Sequence, residues 1–212
     1  MDVAIVDYKA GNVYSVIHAL QRLGIDPVLT DDAERIRRAD KVLFPGQGEA
    51  RQAMTYLQQH GLDQLIRDLR QPILGICIGQ QLMCRHSEEG DTPCLGIFDV
   101  DVCRFRPQHH EEKVPHMGWN SLSVARDALG DARGGLRSEE EQEGLFRGFE
   151  GGEFVYFVHS FYVPVCEWTI ATTDYIQPFS AALHRDNFYA TQFHPEKSGS
   201  VGERILRNFL EL

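Results

Sequence analysis

QPILGICIGQQL, residues 71–82, holds a strand that passes into a helix across a single cysteine. Ile73 to Ile76 is apolar without a break, as in a strand covered on both faces, and Gln80-Gln81-Leu82 begins a helical pattern. Strands of that kind belong to parallel sheets, and the segments around this one agree. Asp2 to Asp7 reads as a strand closed by Lys9-Ala10-Gly11-Asn12, after which Val13, Val16, Ile17, Leu20 and Leu23 recur at helical spacing up to Gly24. Pro27 to Thr30 is a second strand, Asp31 to Arg38 a short helix, and Lys41 to Phe44 a third strand broken by Pro45-Gly46-Gln47-Gly48. Helices over 49–59 and 62–69 lead back to the opening stretch. This order predicts an α/β fold with a mostly parallel sheet and helices on both sides, whose ligand site lies beyond the carboxyl ends of the strands. Lys9 to Asn12, Pro45 to Gly48 and Cys77 all fall at such ends.

The second half is richer in strands, expected over 95–105, 120–124, 154–158, 168–172, 179–184 and 188–193, with an amphipathic helix over 201–210. Residues 126–152, with many glycines and the run Glu139-Glu140-Glu141-Gln142-Glu143, read as solvated loop and helix surface. With no internal repeat or clear linker, the 212 residues are expected to form one domain.

The formal charge of −10, from 21 Lys and Arg against 31 Asp and Glu, argues against nucleic acid or an anionic membrane as the main partner. No apolar run reaches membrane-spanning length and Met1-Asp2-Val3-Ala4-Ile5-Val6 lacks the basic start of a signal peptide, so a cytosolic location is expected. The five cysteines are scattered, with no CxxC pair and no zinc-type His/Cys spacing, which fits reduced thiols; no metal or cofactor is expected.

Gly75-x-Cys77-x-Gly79 at a strand-to-helix turn has the pattern of a nucleophile elbow. The turn lifts the side chain above the sheet, small neighbours let the backbone fold closely, and a helix N-terminus favours the thiolate. An isolated cysteine is more often structural; the flanking glycines tip the reading toward a nucleophile. Attack on a carboxamide further requires a base, a group that orients it, and donors for the oxyanion. His194-Pro195-Glu196 follows an apolar strand and supplies the first two, with the carboxylate fixing the imidazole tautomer. His159 is the strongest competitor for the base. Ile78 offers an N–H at the helix start, and Pro45-Gly46-Gln47-Gly48 a second backbone donor, from Gln47 or Gly48. Gln81, one turn after Cys77, lies on the same helix face.

Gly75-Ile76-Cys77-Ile78-Gly79-Gln80-Gln81 with His194-Pro195-Glu196 resembles the class I, or triad, glutamine amidotransferases. The resemblance implies a flavodoxin-like fold with extra antiparallel strands, Cys77, His194 and Glu196 as catalytic triad, and a glutamyl thioester on Cys77. GNVYSVIHAL (11–20), LFPGQGEARQAM (43–54), SEEG (87–90), VPHMGWN (114–120), YFVHSFY (156–162) and ATQFHPEKSG (190–199) are similar, in order, to the glutaminase subunits of imidazole glycerol phosphate synthases. That similarity covers nearly the whole chain. It implies a heterodimer with a (β/α)8-barrel cyclase that uses the ammonia to make imidazole glycerol phosphate and an aminoimidazole carboxamide ribotide in histidine biosynthesis. It also places glutamine against Gly46, Gln81, Glu89, Ser160 and Phe161, the last two through backbone, and the partner near Asn12, Trp119 and Lys197. Their plainer readings are a turn residue, a core aromatic and a solvated lysine.

Three positions depart from the family pattern: Gln47 stands where Val is common, Gln80 where Met is usual, and Ile176 where Gly is common. The first bears on the resting shape of the loop and the second on packing. Ile176 requires that its turn avoid a positive φ or bear strain. Two other readings keep most of these features: another cysteine hydrolase role on the same fold, such as a different amidotransferase subunit or a stand-alone γ-glutamyl hydrolase, and a non-enzymatic interaction module. The PHMGWN and SEEG segments disfavour the former, and the intact triad disfavours the latter.

Overall fold

In a computed structural model, which describes residues 1–11, 13–124 and 144–212, the first half alternates as its periodicity predicts. The order is β1 (Val3–Val6), α1 (Val13–Arg22), β2 (Val28–Thr30), α2 (Ala33–Arg38), β3 (Lys41–Gly46), α3 (Ala50–Gln59), α4 (Leu62–Asp68), β4 (Ile73–Cys77) and α5 (Ile78–Met83). Asp32 caps α2 by accepting from the Arg35 N–H, and Glu49 caps α3 by accepting from that of Gln52. The later strands are β5 (Cys84–Ser87), β6 (Thr92–Pro93), β7 (Phe98–Arg104), β8 (His116–Ser121), β9 (Ser123–Val124), β10 (Phe154–His159), β11 (Phe161–Tyr162), β12 (Thr169–Tyr175), β13 (Gln177–Arg185) and β14 (Phe188–Thr191). A single 3-10 turn, Pro195–Lys197, then leads into the last helix, Gly199–Leu210.

The main sheet runs β2-β1-β3-β4-β14-β13-β12-β9. Pairing is parallel from β2 to β14 and antiparallel from there to β9, so the expected mixture is observed within one sheet. β4 sits between β3 and β14 with every residue buried, as its unbroken apolar run requires. Alternate residues of β3 and β4 serve two cores: Val42, Phe44 and Ile73 face α3 to α5, while Leu43, Leu74 and Ile76 face α1 and the last helix. Each such fully buried side chain contributes about 1.5–3 kcal/mol.

Several strands differ from expectation. The 95–105 strand is confined to Phe98–Arg104, and β8 begins at His116, not Asn120. β3 continues through Pro45 and Gly46, which the sequence reading assigned to the break. β5, β6 and β11 were not expected; they join β7 in a small sheet whose strands are short and partly exposed, so no apolar run marks them. Ile176, between β12 and β13, adopts a φ of 53°, so the turn does take a positive φ. A β-branched residue there bears about 1–2 kcal/mol of strain. The acidic run Glu139–Glu143 and most of the 126–152 segment lie outside the described residues.

Candidate functional site

The buried strand β4 delivers Cys77 to the start of α5 with φ 55° and ψ −106°. That conformation is costly for a residue with a Cβ, about 1–3 kcal/mol, and is held by the strand on one side and the helix on the other. A side chain on Gly75 would come within 2.9 Å of the Gly79 carbonyl carbon, and one on Gly79 would overlap the Phe44 carbonyl oxygen. Both glycines are therefore demanded by close approach at the elbow. The thiol is enclosed, with Cys77 8% exposed; its sulfur lies 3.8 Å from Gln192 Nε2 and 3.9 Å from the Val158 carbonyl.

β14 pairs in parallel with β4, with Thr191 beside Ile76, so the chain leaving β14 brings His194 over the end of β4. His194 Nδ1 and Glu196 Oε1 are 2.7 Å apart, with both side chains almost fully buried. The segment is pinned at its backbone. Tyr156 accepts from the His194 N–H at 2.9 Å, and Ser198 Oγ donates to the His194 carbonyl at 2.7 Å while accepting from the Tyr156 N–H. A side chain on Gly202 would overlap the Pro195 carbonyl, so this glycine lets the last helix close against the turn. His194 Nε2 is buried without an oxygen or nitrogen partner, and the group acting on it is Cys77. Burial disfavours the charged ring, but negative charge on Cys77 and then Glu196 overrides that and raises the imidazole to about 10.

Gly46 pairs with Cys77 across the β3–β4 ladder. A side chain at Gly46 would overlap the Tyr8 hydroxyl and press on Ile78, so only glycine fits. The Gln47 carbonyl accepts from the Gly11 N–H at 3.2 Å. The N–H of the same trans peptide, that of Gly48, therefore points away from Gly11. Gly48 takes φ 143°, which few other residues tolerate.

The expected glutamine-holding residues gather at this same end. Gln81 uses both amide hydrogens internally, donating to the Phe161 carbonyl at 3.1 Å and to Gln192 Oε1 at 3.0 Å. The Phe161 carbonyl also receives His159 Nδ1 at 2.7 Å, which occupies its second lone pair. The Ser160 carbonyl accepts from the Phe105 N–H. Glu89 accepts from the Ala50 N–H at the start of α3; burial raises its carboxyl group, opposed by that hydrogen bond. An open groove edged by Glu88, Arg104 and Arg106 runs beside Phe161.

His159 does not compete for the base role. Its Nδ1 is committed to the Phe161 carbonyl and its Nε2 to His116 Nδ1, 3.0 Å away. Burial pushes His159 down to about 3 and His116 down to about 4. These two residues are cross-strand partners in the β8–β10 ribbon, whose outer face shows Met117, Trp119 and Phe154 to solvent. Trp119 is 55% exposed and stands edge-on to Tyr156, so it is not the core aromatic of its plainer reading. Lys197 lies half-buried in the 3-10 turn beside Glu196, and Asn12 lies outside the described residues.

Sequence reasoning missed Gln192, Ser198, Tyr8 and the His116–His159 pair as parts of this site. Gln192 and Ser198 flank the His194-Pro195-Glu196 motif and were within reach of it. Tyr8 follows the first strand, and its partner in space, Gly46, gives no sign of it. Among the described residues, no group of His, Cys, Asp or Glu has metal-holding geometry, and no helix is long and apolar enough to cross a membrane.

Residues 4–212 match the family model for glutamine amidotransferase class-I. The imidazole glycerol phosphate synthase subunit HisH of Bacteroides thetaiotaomicron is 61% identical over 212 residues, covering 100% of both chains. The HisH subunit of Pectobacterium atrosepticum is 44% identical over 213 aligned positions, again covering 100% of both. Among solved structures, one described as a glutamine amidotransferase superposes with a TM-score of 0.71 at 20% identity, covering 100% of this chain and 98% of that one. Another, from Thermotoga maritima, superposes with a TM-score of 0.58 at 17% identity, covering 100% and 81%. These two speak to the fold alone. The chain belongs to the class-I glutamine amidotransferase family and, within it, to the HisH type.

Proposed function

We propose that this chain is the glutaminase subunit of an imidazole glycerol phosphate synthase. It hydrolyses L-glutamine to L-glutamate and passes the ammonia to a (β/α)8-barrel cyclase partner. The observation that carries the reading is the buried His194–Glu196 pair, 2.7 Å between Nδ1 and Oε1, standing over Cys77 at a strand-to-helix elbow in a chain of the HisH type. Cys77 attacks the carboxamide carbon as the thiolate, forming the C–S bond and placing negative charge on the carboxamide oxygen. The backbone N–H groups of Ile78 and of the Gln47-Gly48 turn meet that oxygen. Protonated His194 gives its Nε2 proton to the departing nitrogen, the C–N bond breaks, and ammonia leaves a thioester on Cys77. Water then attacks the thioester as His194 takes its proton; the C–S bond breaks and glutamate is released. Glu196 holds the ring orientation and balances its charge throughout.

Gly46, Gln81, Glu89, Ser160 and Phe161 form the glutamine pocket in this reading, and the apolar outer face of β8 and β10 is the docking surface for the cyclase. The surface is continuous with the site, because β10 itself binds the His194 backbone through Tyr156. The test is Cys77→Ala in the reconstituted complex. Glutamine-dependent synthesis should be lost while ammonia-dependent synthesis persists, and glutamine use surviving the substitution would remove Cys77 from its role. Glutaminase turnover should also rise strongly when the cyclase and its nucleotide substrate are added. Full turnover by the isolated chain would favour a stand-alone hydrolase.

A further inference from the structure

A chain of hydrogen bonds with one allowed direction runs from Asn120 of β8 to Cys77. It starts at Asn120, whose amide orientation is fixed at both ends: Oδ1 accepts from the Ser121 N–H at 2.8 Å and Nδ2 donates to the Asp174 carbonyl at 3.0 Å. Asn120 Nδ2 also faces His116 Nε2 at 3.4 Å, so that nitrogen must be the acceptor and the ring proton must sit on Nδ1. His116 Nδ1–H then donates to His159 Nε2 at 3.0 Å, which leaves the His159 proton on Nδ1, donating to the Phe161 carbonyl at 2.7 Å. The same carbonyl receives Gln81 Nε2, whose second hydrogen goes to Gln192 Oε1, and Gln192 Nε2 points at the Cys77 sulfur. Reversing any link would set two donors or two acceptors face to face, so both rings are neutral and both are Nδ1–H tautomers.

Both histidines are about 95% buried, at 4% and 5% exposure. His116 is stacked on Tyr175 with ring centroids 3.9 Å apart and on Phe157 at 4.8 Å, so the rings cannot turn to another partner. A pair needed only to fill the core would be met at lower cost by apolar rings, since buried polar groups add nothing unless every one is satisfied. The satisfied end of the chain is instead spent on a carbonyl already bonded to Gln81.

We propose that His159, held in one tautomer by His116, is a positioning residue of the glutamine site: its Nδ1–H fixes the Phe161 carbonyl, which in turn fixes the Gln81 amide against the substrate. This rests on the glutaminase reading above. Burial depresses both imidazoles, which keeps the chain neutral and its direction unchanged at neutral pH.

Two near-isosteric variants separate positioning from packing. His159→Asn places an amide N–H where Nδ1 was and keeps the bond to Phe161, but it loses the acceptor for His116. His159→Gln keeps an acceptor at the Nε2 position for His116 and loses the donor to Phe161. Glutamine affinity is measured by calorimetry on the full chain carrying Cys77→Ala, and thermal midpoints are measured alongside. His159→Gln should weaken glutamine binding about ten-fold or more and His159→Asn less than about three-fold. The stability order should be the reverse, because His159→Asn leaves the buried His116 N–H unpaired. If both variants weaken binding alike, or binding follows stability, the positioning role is wrong. Loss of all glutamine binding in the Cys77→Ala parent would instead overturn the glutaminase reading and this inference with it. Imidazole nitrogen NMR of the unmodified chain gives a check that needs no variant. Both rings should report as Nδ1–H tautomers at neutral pH, and an Nε2–H or doubly protonated His159 would overturn the proposal.

Discussion

Replacing Glu196 by Gln separates charge from hydrogen bonding at the triad. Glu196 Oε1 accepts from His194 Nδ1–H at 2.7 Å, whereas Oε2 is buried with no partner. An amide placed with its nitrogen at the Oε2 position therefore breaks no existing hydrogen bond and removes only the negative charge. With both side chains at 2–3% exposure, solvent screens the pair little. Charge centres about 4 Å apart at an effective dielectric constant near 20 interact by about 4 kcal/mol. If that stabilisation is needed for the ring to carry its proton through the first transition state, glutamine-dependent turnover falls about a thousand-fold. The pKa of His194 should drop in the same variant, since Glu196 is one of the two charges that raise it. The assay compares glutamine-dependent with ammonia-dependent synthesis by the complex with its cyclase. Ammonia-dependent synthesis should be unchanged, and a folded variant losing less than about ten-fold with glutamine would refute the electrostatic role of Glu196.

Gln80 is fully buried, with Nε2 bonded to the Ser180 carbonyl at 3.1 Å and Oε1 unpaired. Gln80→Met exchanges one hydrogen bond for the removal of an unsatisfied acceptor and should stabilise by about 1 kcal/mol, read as a rise in Tm of about 2–4 °C; a fall would show that Oε1 is satisfied in solution. His116 and His159 are depressed to about 4 and about 3, so between pH 4 and the ordinary histidine value of 6.5 the unfolded chain binds more protons than the folded one. Their contribution is therefore complete above pH 6.5 and lost as pH falls, by up to about 3 kcal/mol per pH unit for two rings. Urea unfolding across this range should be steeper in pH for the wild type than for a His116→Phe, His159→Phe double variant, and equal slopes would contradict the burial argument. Trp119→Ala should weaken association with the cyclase by about thirty-fold, a loss of about 2 kcal/mol, while leaving the Tm of the isolated chain nearly unchanged, because the ring is 55% exposed. A large Tm loss with unaltered association would place Trp119 in the fold instead.

Parallel β-α units announce themselves because their strands are apolar throughout, and β1, β3 and β4 were legible for that reason. The elbow was legible as well, since the glycines at 75 and 79 leave a mark in the sequence that reflects backbone contact in space. β8 illustrates what hides a strand. It turns His116, Gly118 and Asn120 inward and Met117 and Trp119 outward, so its polar pattern is inverted and only the last two residues fell within the expected strand. The same inversion concealed the histidine pair, because a cross-strand contact between His116 and His159 depends on a register that neither strand encodes alone. Cys77, His194 and Glu196 carry motifs of their own, whereas what holds His194 in place does not: Tyr156 acts through its backbone, which any residue type supplies, and Ser198 through a hydroxyl whose two partners are set only by the folded register.

The adjacency of β4 and β14 has a consequence for synthesis of the chain. The elbow strand and the strand that leads to His194 are neighbours in the sheet although most of the second half of the sequence lies between them. Ribosomes add about 5–20 residues per second, so β4 emerges about ten seconds before β14 is available to pair with it. During that interval β4 is an open sheet edge exposed to wrong pairing, with Cys77 at its end and His194 not yet beside it. The insertion of β14 closes the edge and brings His194 to Cys77 in one event, so under the proposed assignment a nascent or truncated chain lacking that strand holds the thiol without its base.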